Sequence, residues 1–172
     1  MIPEYLEVLS YYHPGIGASN SGDGYNYNDI VWEIPAQAIP KATLDTETIA
    51  LTKLYKKKEL ADYVINVIEN NGVTYQSNQY DISLHKRVTY NHLATVLTAN
   101  GSILGFTGVL NLLYGLVNMN YSQFINFNQA IANYTVAMFN WQNTKNIAID
   151  ALTTAAAVDA YSLTSGQPSN SL

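Results

Sequence analysis

The segment from Tyr121 to Leu152 contains neither proline nor glycine, so nothing in it breaks a helix. Its large side chains recur with a helical period. Phe124, Ile131 and Met138 are seven apart, and so are Phe127, Tyr134 and Trp141. The two rows interleave at spacings of three and four, which puts them on one helix face. Ile149 and Leu152 extend the stripe, and Ser122 is a candidate N-cap for the first free backbone N–H groups. The segment predicts one helix of about 30 residues, well beyond the usual three turns. The rest of the chain has to cover its apolar face.

Upstream, residues 1–12 read as a strand candidate through Tyr5, Val8, Tyr11 and Tyr12, with poor alternation. His13 to Asn28 is a loop punctuated by Pro14, Gly15, Gly17, Gly22 and Gly24. Asp29 to Ile34 is a short strand candidate, and Pro35 and Pro40 hold an extended segment after it. A helix is expected from about Asp45 or Thr46 to Asn70, ended by Gly72, with Leu51, Leu54, Tyr55, Tyr63, Ile65 and Ile68 as its apolar surface. Gly72 to Gln76 is a short strand. A second helix follows from about Asp81 to Asn100, its inner side marked by Leu84, Val88, His92, Val96, Leu93 and Leu97 and its end by Asn100-Gly101. Residues 102–120 read as one or two short strands or a buried loop. Thr153 caps a last short helix over residues 154–161.

The expected fold is therefore mainly α (α+β): a small helical domain of three to four helices with one long C-terminal helix, short strands and an irregular N-terminal arm. Its divisions are a tyrosine-rich docking arm over 1–44, a helical domain over 45–164 and a disordered tail over 165–172.

Charge limits the function classes. Charged residues are only 12% of the 172, and the net charge is −5, so bulk attraction to nucleic acid is not expected. Lys56, Lys57 and Lys58, with Glu59 and Asp62, read as a solvated face. From Val88 to Leu172 the charged side chains are Lys145, Asp150 and Asp159 alone. That suits a subunit living inside an assembly, where interfacial charges are costly to bury. Without cysteine there is no disulfide, thiol nucleophile or thiolate metal site. The opening Met1-Ile-Pro-Glu-Tyr-Leu-Glu lacks the pattern of a signal peptide. The most apolar window, residues 103–119, is interrupted by Gly105, Gly108, Asn111 and Gly115, so no membrane insertion is expected.

Two stretches together carry a resemblance. Asn71-Gly-Val-Thr-Tyr-Gln-Ser-Asn-Gln-Tyr-Asp-Ile-Ser-Leu-His-Lys-Arg87 resembles the entry segment of a domain of unknown function found in phage tail-fibre and tail-assembly proteins. In that family a turn and short strand lead into a helix, then a hairpin-like segment, a long helix and a short terminal helix introduced by Thr. Tyr121 to Leu152 and Thr153-Thr-Ala-Ala-Ala-Val-Asp-Ala-Tyr161 are similar to the last two, and Trp32-Glu-Ile-Pro-Ala-Gln-Ala-Ile-Pro40 is similar to the linker that precedes such helices. The resemblance spans roughly residues 30–163 and implies a virion location in the phage tail. It brings no catalytic residues with it.

Catalytic and metal chemistry find no pattern. His85 and His92 are seven apart, not the three or four of helical metal ligands. No Gly-x-Ser-x-Gly elbow is present, and Gly15-Ile-Gly17 opens no helix. Asp23, Asn26, Asn28 and Asp29 do not follow the calcium-loop spacing and fit a turn-rich loop. No enzyme activity, metal or cofactor is expected. The fourteen tyrosines suit interfaces, where a large ring with a polar tip is useful.

The expected function is that of a structural subunit of a bacteriophage virion, in the tail fibre or baseplate region, docking to neighbouring tail proteins. A host-receptor or glycan-binding tail tip and a tail-fibre assembly chaperone are the alternatives. Candidate self-association residues are Phe124, Phe127, Ile131, Tyr134, Met138, Phe139 and Trp141. Candidate docking-arm residues are Tyr11, Tyr12, Tyr25, Tyr27 and Trp32. Ile125, Ala132, Val136 and Phe139 lie off the main stripe and need a second cover, for which a homo-oligomer is the expected solution. The resemblance implies a trimer.

Overall fold

The computed structural model describes residues 1–99, 108–112 and 115–172. The protein is mainly helical, as expected, with four main helices among the described residues: α1 (Tyr5–Tyr12), α2 (Lys41–Asn70), α3 (Leu84–Ala99) and α4 (Tyr121–Ala151), followed by a short α5 (Ala155–Asp159). The strands are β1 (Ala18–Asn20), β2 (Ile30–Trp32), β3 (Val73–Tyr75), β4 (Asn78–Tyr80), β5 (Gly108–Leu112) and β6 (Gly115–Met119). They pair antiparallel as three two-stranded sheets among the described residues, β1 with β2, β3 with β4 and β5 with β6. The chain divides into two units, Met1–Leu60 with Lys145–Leu163, and Ala61–Thr144 with Thr164–Leu172.

In the first unit the N-terminal segment is irregular but packed, holding one short helix and two three-residue strands against α2. Residues 5–12 form a helix rather than the expected strand, because Tyr5, Val8, Leu9 and Tyr12 recur at helical spacing and Val8 and Leu9 are buried. Tertiary burial overrides the β propensity of Tyr and Val here. Val8, Leu9 and Ile30 form one core cluster with Leu44 and Leu51 of α2, and Tyr5, Ala18, Tyr27, Trp32 and Ile39 pack around it. The loop between β1 and β2 uses its polar side chains on itself. Asn20, Asp23 and Asn26 each accept a hydrogen bond from the backbone N–H two residues on, at 3.0–3.1 Å, as such residues do in turns. Gly24 sits at φ +88, with the Glu4 side chain filling the space a Cβ would need, so glycine is required there.

Helix α2 starts at Lys41, four residues before the expected caps, with Pro40 O accepting from Thr43 N and Leu44 N. Asp45 is not a cap. It pairs with Lys41 one turn back, Nζ to Oδ2 2.6 Å. The buried row of α2 in this unit is Leu44, Leu51 and Leu60, while Leu54 is exposed. Lys56 is also buried and paired with Glu59 at 3.2 Å, and Lys57 donates to Asp150. Only Lys58 of the triplet stands on a solvated face. The cap of α5 is Thr154 rather than Thr153, its Oγ1 accepting from Ala157 N at 3.2 Å, and Val158 is buried behind it.

In the second unit, β3 and β4 make a hairpin closed by Gln76 and Ser77, whose φ values of 47 and 65 are those of a two-residue type I′ turn. The sequence pattern predicts one strand here, and the second strand, β4, forms because the Gln76–Ser77 turn folds residues 78–80 back onto β3. Gly72 is at φ +64, and a Cβ on it would stand 2.4 Å from Tyr80 O. Helix α4 is capped by Asn120, not Ser122. Asn120 Oδ1 accepts from Gln123 N and Gln123 Oε1 accepts from Asn120 N, both at 2.9 Å, a reciprocal capping box. The tail is not disordered. Thr74 N donates to Asn170 O at 2.8 Å and Leu172 N to Thr74 O at 2.7 Å, so the last residues run beside β3. Tyr63 donates to Gln167, and Trp141 Nε1 to Ser165 O at 3.2 Å. The hairpin β5–β6 falls within the segment read as short strands. The proposed stop at Asn100-Gly101 lies outside the described residues.

The core of this unit is aromatic. Phe127 of α4 is fully buried against Tyr80 of β4 at 4.4 Å between ring centroids, Tyr75 and Tyr90 at 5.4 Å each, and Phe124 at 6.5 Å. Four segments thus meet on one ring. Replacing Phe127 with Ala should destabilise the protein by about 3–5 kcal/mol, read by denaturant unfolding.

Burial pushes the Tyr90 phenol up to about 12 from its ordinary 10.0, with the Asp81 charge adding to the shift. Its hydroxyl donates to Asp81 O at 3.0 Å. The folded state therefore holds this proton after the unfolded chain has lost it. The linked stability is complete below pH 10.0 and is lost as pH rises to about 12. Tyr90→Phe should lower stability at neutral pH by about 1 kcal/mol and make the loss between those pH values shallower. Denaturant midpoints measured across the alkaline range check both.

Candidate association face

Helix α4 has apolar residues on two sides. The main stripe lies inside the unit, with Phe124, Phe127, Ile131, Tyr134 and Met138 all buried. These candidate self-association residues are core, because β3–β4 and α3 supply the cover that the expectation assigned to a partner. Trp141 is partly covered and lies 6.3 Å from the Tyr63 ring. Of the candidates, Phe139 alone stays outside. It sits on the second row, with Ala132 and Val136 also exposed and Ile125 partly covered. At 100° per residue this row is turned away from the stripe, so the neighbours that bury one cannot bury the other.

Helix α3 shows the same division, and here the expectation holds for Leu97 and Leu93 and fails for Leu84, Val88, His92 and Val96. Its buried positions are Tyr90 and Leu97, with Leu93 and Ala94 half-buried. Leu84, Val88 and Val96, read as the inner side with His92, face outward. Tyr90 and Leu97 are seven apart and mark the inner face, where the Tyr90 ring packs edge-on against Phe127 at 5.4 Å.

The two outward rows border one groove of about 350 Å³ between α3 and α4. Leu84 is 62%, Val88 59%, Val136 57% and Phe139 50% exposed. Asn91, Asn128, Ala132 and Thr135 fill in between them. The groove's one charged lining residue, Arg87, donates from Nη2 to Glu69 Oε1 at 2.7 Å, and Glu69 Oε2 also accepts from Leu84 N at 2.7 Å. The surface is thus apolar and amide-rich, with its one charge neutralised at its end. It offers area for association and no acid–base pair for chemistry.

The docking-arm candidates divide. Tyr11, Tyr12 and Tyr25 are exposed. Tyr27 donates to Ile39 O at 2.8 Å and packs with Trp32 in the core cluster of the first unit. His13 Nε2 lies 2.9 Å from both carboxylate oxygens of Glu47. His85 and His92 are both exposed on α3. Among the described residues no group of three or more His, Asp or Glu is placed to hold a metal ion, and no helix is long and apolar enough to cross a membrane. Comparison with protein-family models, with curated proteins and with solved structures finds no match.

Proposed function

We propose that this chain is a structural subunit that self-associates through the outward apolar face of α3 and α4. Its setting is a bacteriophage virion, in the tail fibre or baseplate region. The observation that carries self-association is the row of Leu84, Val88, Val136 and Phe139, each at least half exposed, along a groove in which Arg87, the one charged residue among its described lining, is paired with Glu69. An apolar patch of this kind on a free monomer invites association. The virion setting and a three-fold assembly rest on the resemblance of residues 30–163 to the phage tail family.

Magnitudes decide what kind of association to look for. Each of these side chains is already about half covered, so completing its burial contributes about 1 kcal/mol. Two such faces together contribute about 8 kcal/mol, the same order as the entropy lost on association. Assembly through this face alone is therefore concentration-dependent, and neighbouring subunits add the rest.

Sedimentation velocity should show the wild-type chain associating as its concentration rises. Phe139→Asp should give a folded monomer, because the new charge meets water. Tyr134→Asp, in the core, should unfold, since an unpaired buried charge costs several kcal/mol, about 3–5. A wild-type chain that stays monomeric at high concentration overturns self-association.

With so few charges at hand, the association should change little between about 0.1 and 1 M salt. Dissociation over that range would contradict an apolar interface. Mass spectrometry of purified particles tests the virion setting, through the chain's presence at stoichiometric copy number.

A further inference from the structure

A second cavity lies wholly within the first unit, and self-association makes no use of it. It measures about 380 Å³, within the usual size range of small-molecule sites. Its walls come from four places. Ile2, Pro3 and Tyr5 lead into α1, Asp45, Thr48 and Ile49 lie on α2, and Thr154 and Ala155 open α5. Tyr25 stands exposed at the side. Most of this lining is aliphatic or aromatic, with a single ionisable acid in it.

That acid, Asp45, accepts hydrogen bonds from the Tyr5 hydroxyl and from Lys41 Nζ, at 2.9 Å to Oδ1 and 2.6 Å to Oδ2. Those bonds hold its carboxyl below the usual range, so it is a carboxylate at neutral pH. Lys41 does not line the cavity. It is an exposed partner one turn back on the same helix, a weak kind of pair that another cation can displace. The Thr48 hydroxyl donates to Leu44 O, which leaves its lone pairs available as acceptors toward the cavity. Asp45 is the one carboxylate in the described lining, and the Met1 ammonium next to Ile2 is paired with Asp159. Aromatic faces beside a carboxylate favour a cation over a neutral group of the same size.

We infer that this cavity binds a small organic cation: a primary ammonium on an apolar body, with the ammonium on Asp45 and the body between Tyr5, Tyr25 and Ile49. The reading is independent of self-association.

Calorimetric titration of the full chain with benzylammonium, benzyl alcohol and benzoate tests it, since the three match in size and differ in charge. Benzylammonium should bind at least about tenfold more tightly than either of the others. Asp45→Asn should remove about tenfold of that affinity, with thermal unfolding checking that the variant is folded. Lys41→Met should act in the opposite direction, raising affinity about two- to fivefold by freeing the carboxylate of its competitor. This second variant decides the matter if Asp45→Asn fails to fold. Equal binding of the alcohol, preference for benzoate, no saturable binding of any probe, or weaker binding by Lys41→Met overturns the inference.

Discussion

The packing of aromatic rings around Phe127 is the interaction on which the second unit depends. Phe127 comes from α4, Tyr80 and Tyr75 from the β3–β4 hairpin, and Tyr90 from α3. None of these elements is self-sufficient. A hairpin of two three-residue strands is not stable alone in water, and α4 has an apolar stripe that needs a cover. The ring cluster gives both what they lack. It also explains the tight local geometry at its edge, where Gly72 passes close to Tyr80 and the Gln76–Ser77 turn adopts left-handed backbone angles. The energy recovered by burying the rings offsets the strain of those two residues.

The first unit solves a different problem with small means. Its N-terminal forty residues contain one eight-residue helix and two strands of three residues each. Such pieces persist because Val8, Leu9 and Ile30 converge on Leu44 and Leu51, and because the intervening loop satisfies its own backbone with Asn and Asp side chains. The unpaired backbone groups of an irregular segment would otherwise need water. Locally satisfied turns let an irregular chain pack against a helix without that requirement.

The scarcity of charge in the second half of the chain acts on both inside and outside. Inside, it leaves the buried face of α4 free of ions, while the mostly covered Arg87 at the start of α3 is paired with Glu69. Outside, it leaves the groove of Leu84, Val88, Val136 and Phe139 without the charged rim that usually keeps a surface solvated. A helix with apolar residues on two faces has one face for its own core and one left over. The leftover face is the surface we propose for association, and the groove it borders is shaped by the core packing beneath.

What the sequence by itself determined was whatever depends on residues near one another in the chain. The long helix between Tyr121 and Leu152, the break at Gly72 and the last short helix after a threonine are all legible from periodicity, breakers and caps. So is the placing of Phe124, Phe127, Ile131, Tyr134 and Met138 on one face, whereas their burial inside the unit rather than against another copy came from the packing of α3 and the β3–β4 hairpin. The caps of α4 and α5 differ from expectation by two residues and one, because Ser122 and Asn120, or Thr153 and Thr154, are chemically equivalent until a backbone N–H chooses between them, and α2 begins four residues before its expected caps, after Pro40. Tertiary structure alone decided which of two apolar rows on α3 turns inward, that residues 5–12 are helix, and that the tail pairs with β3. Periodicity says that a face exists, and it is a local property. Which face is covered depends on what arrives from elsewhere in the chain, and the Phe127 ring cluster, drawing Tyr90 inward, made that choice.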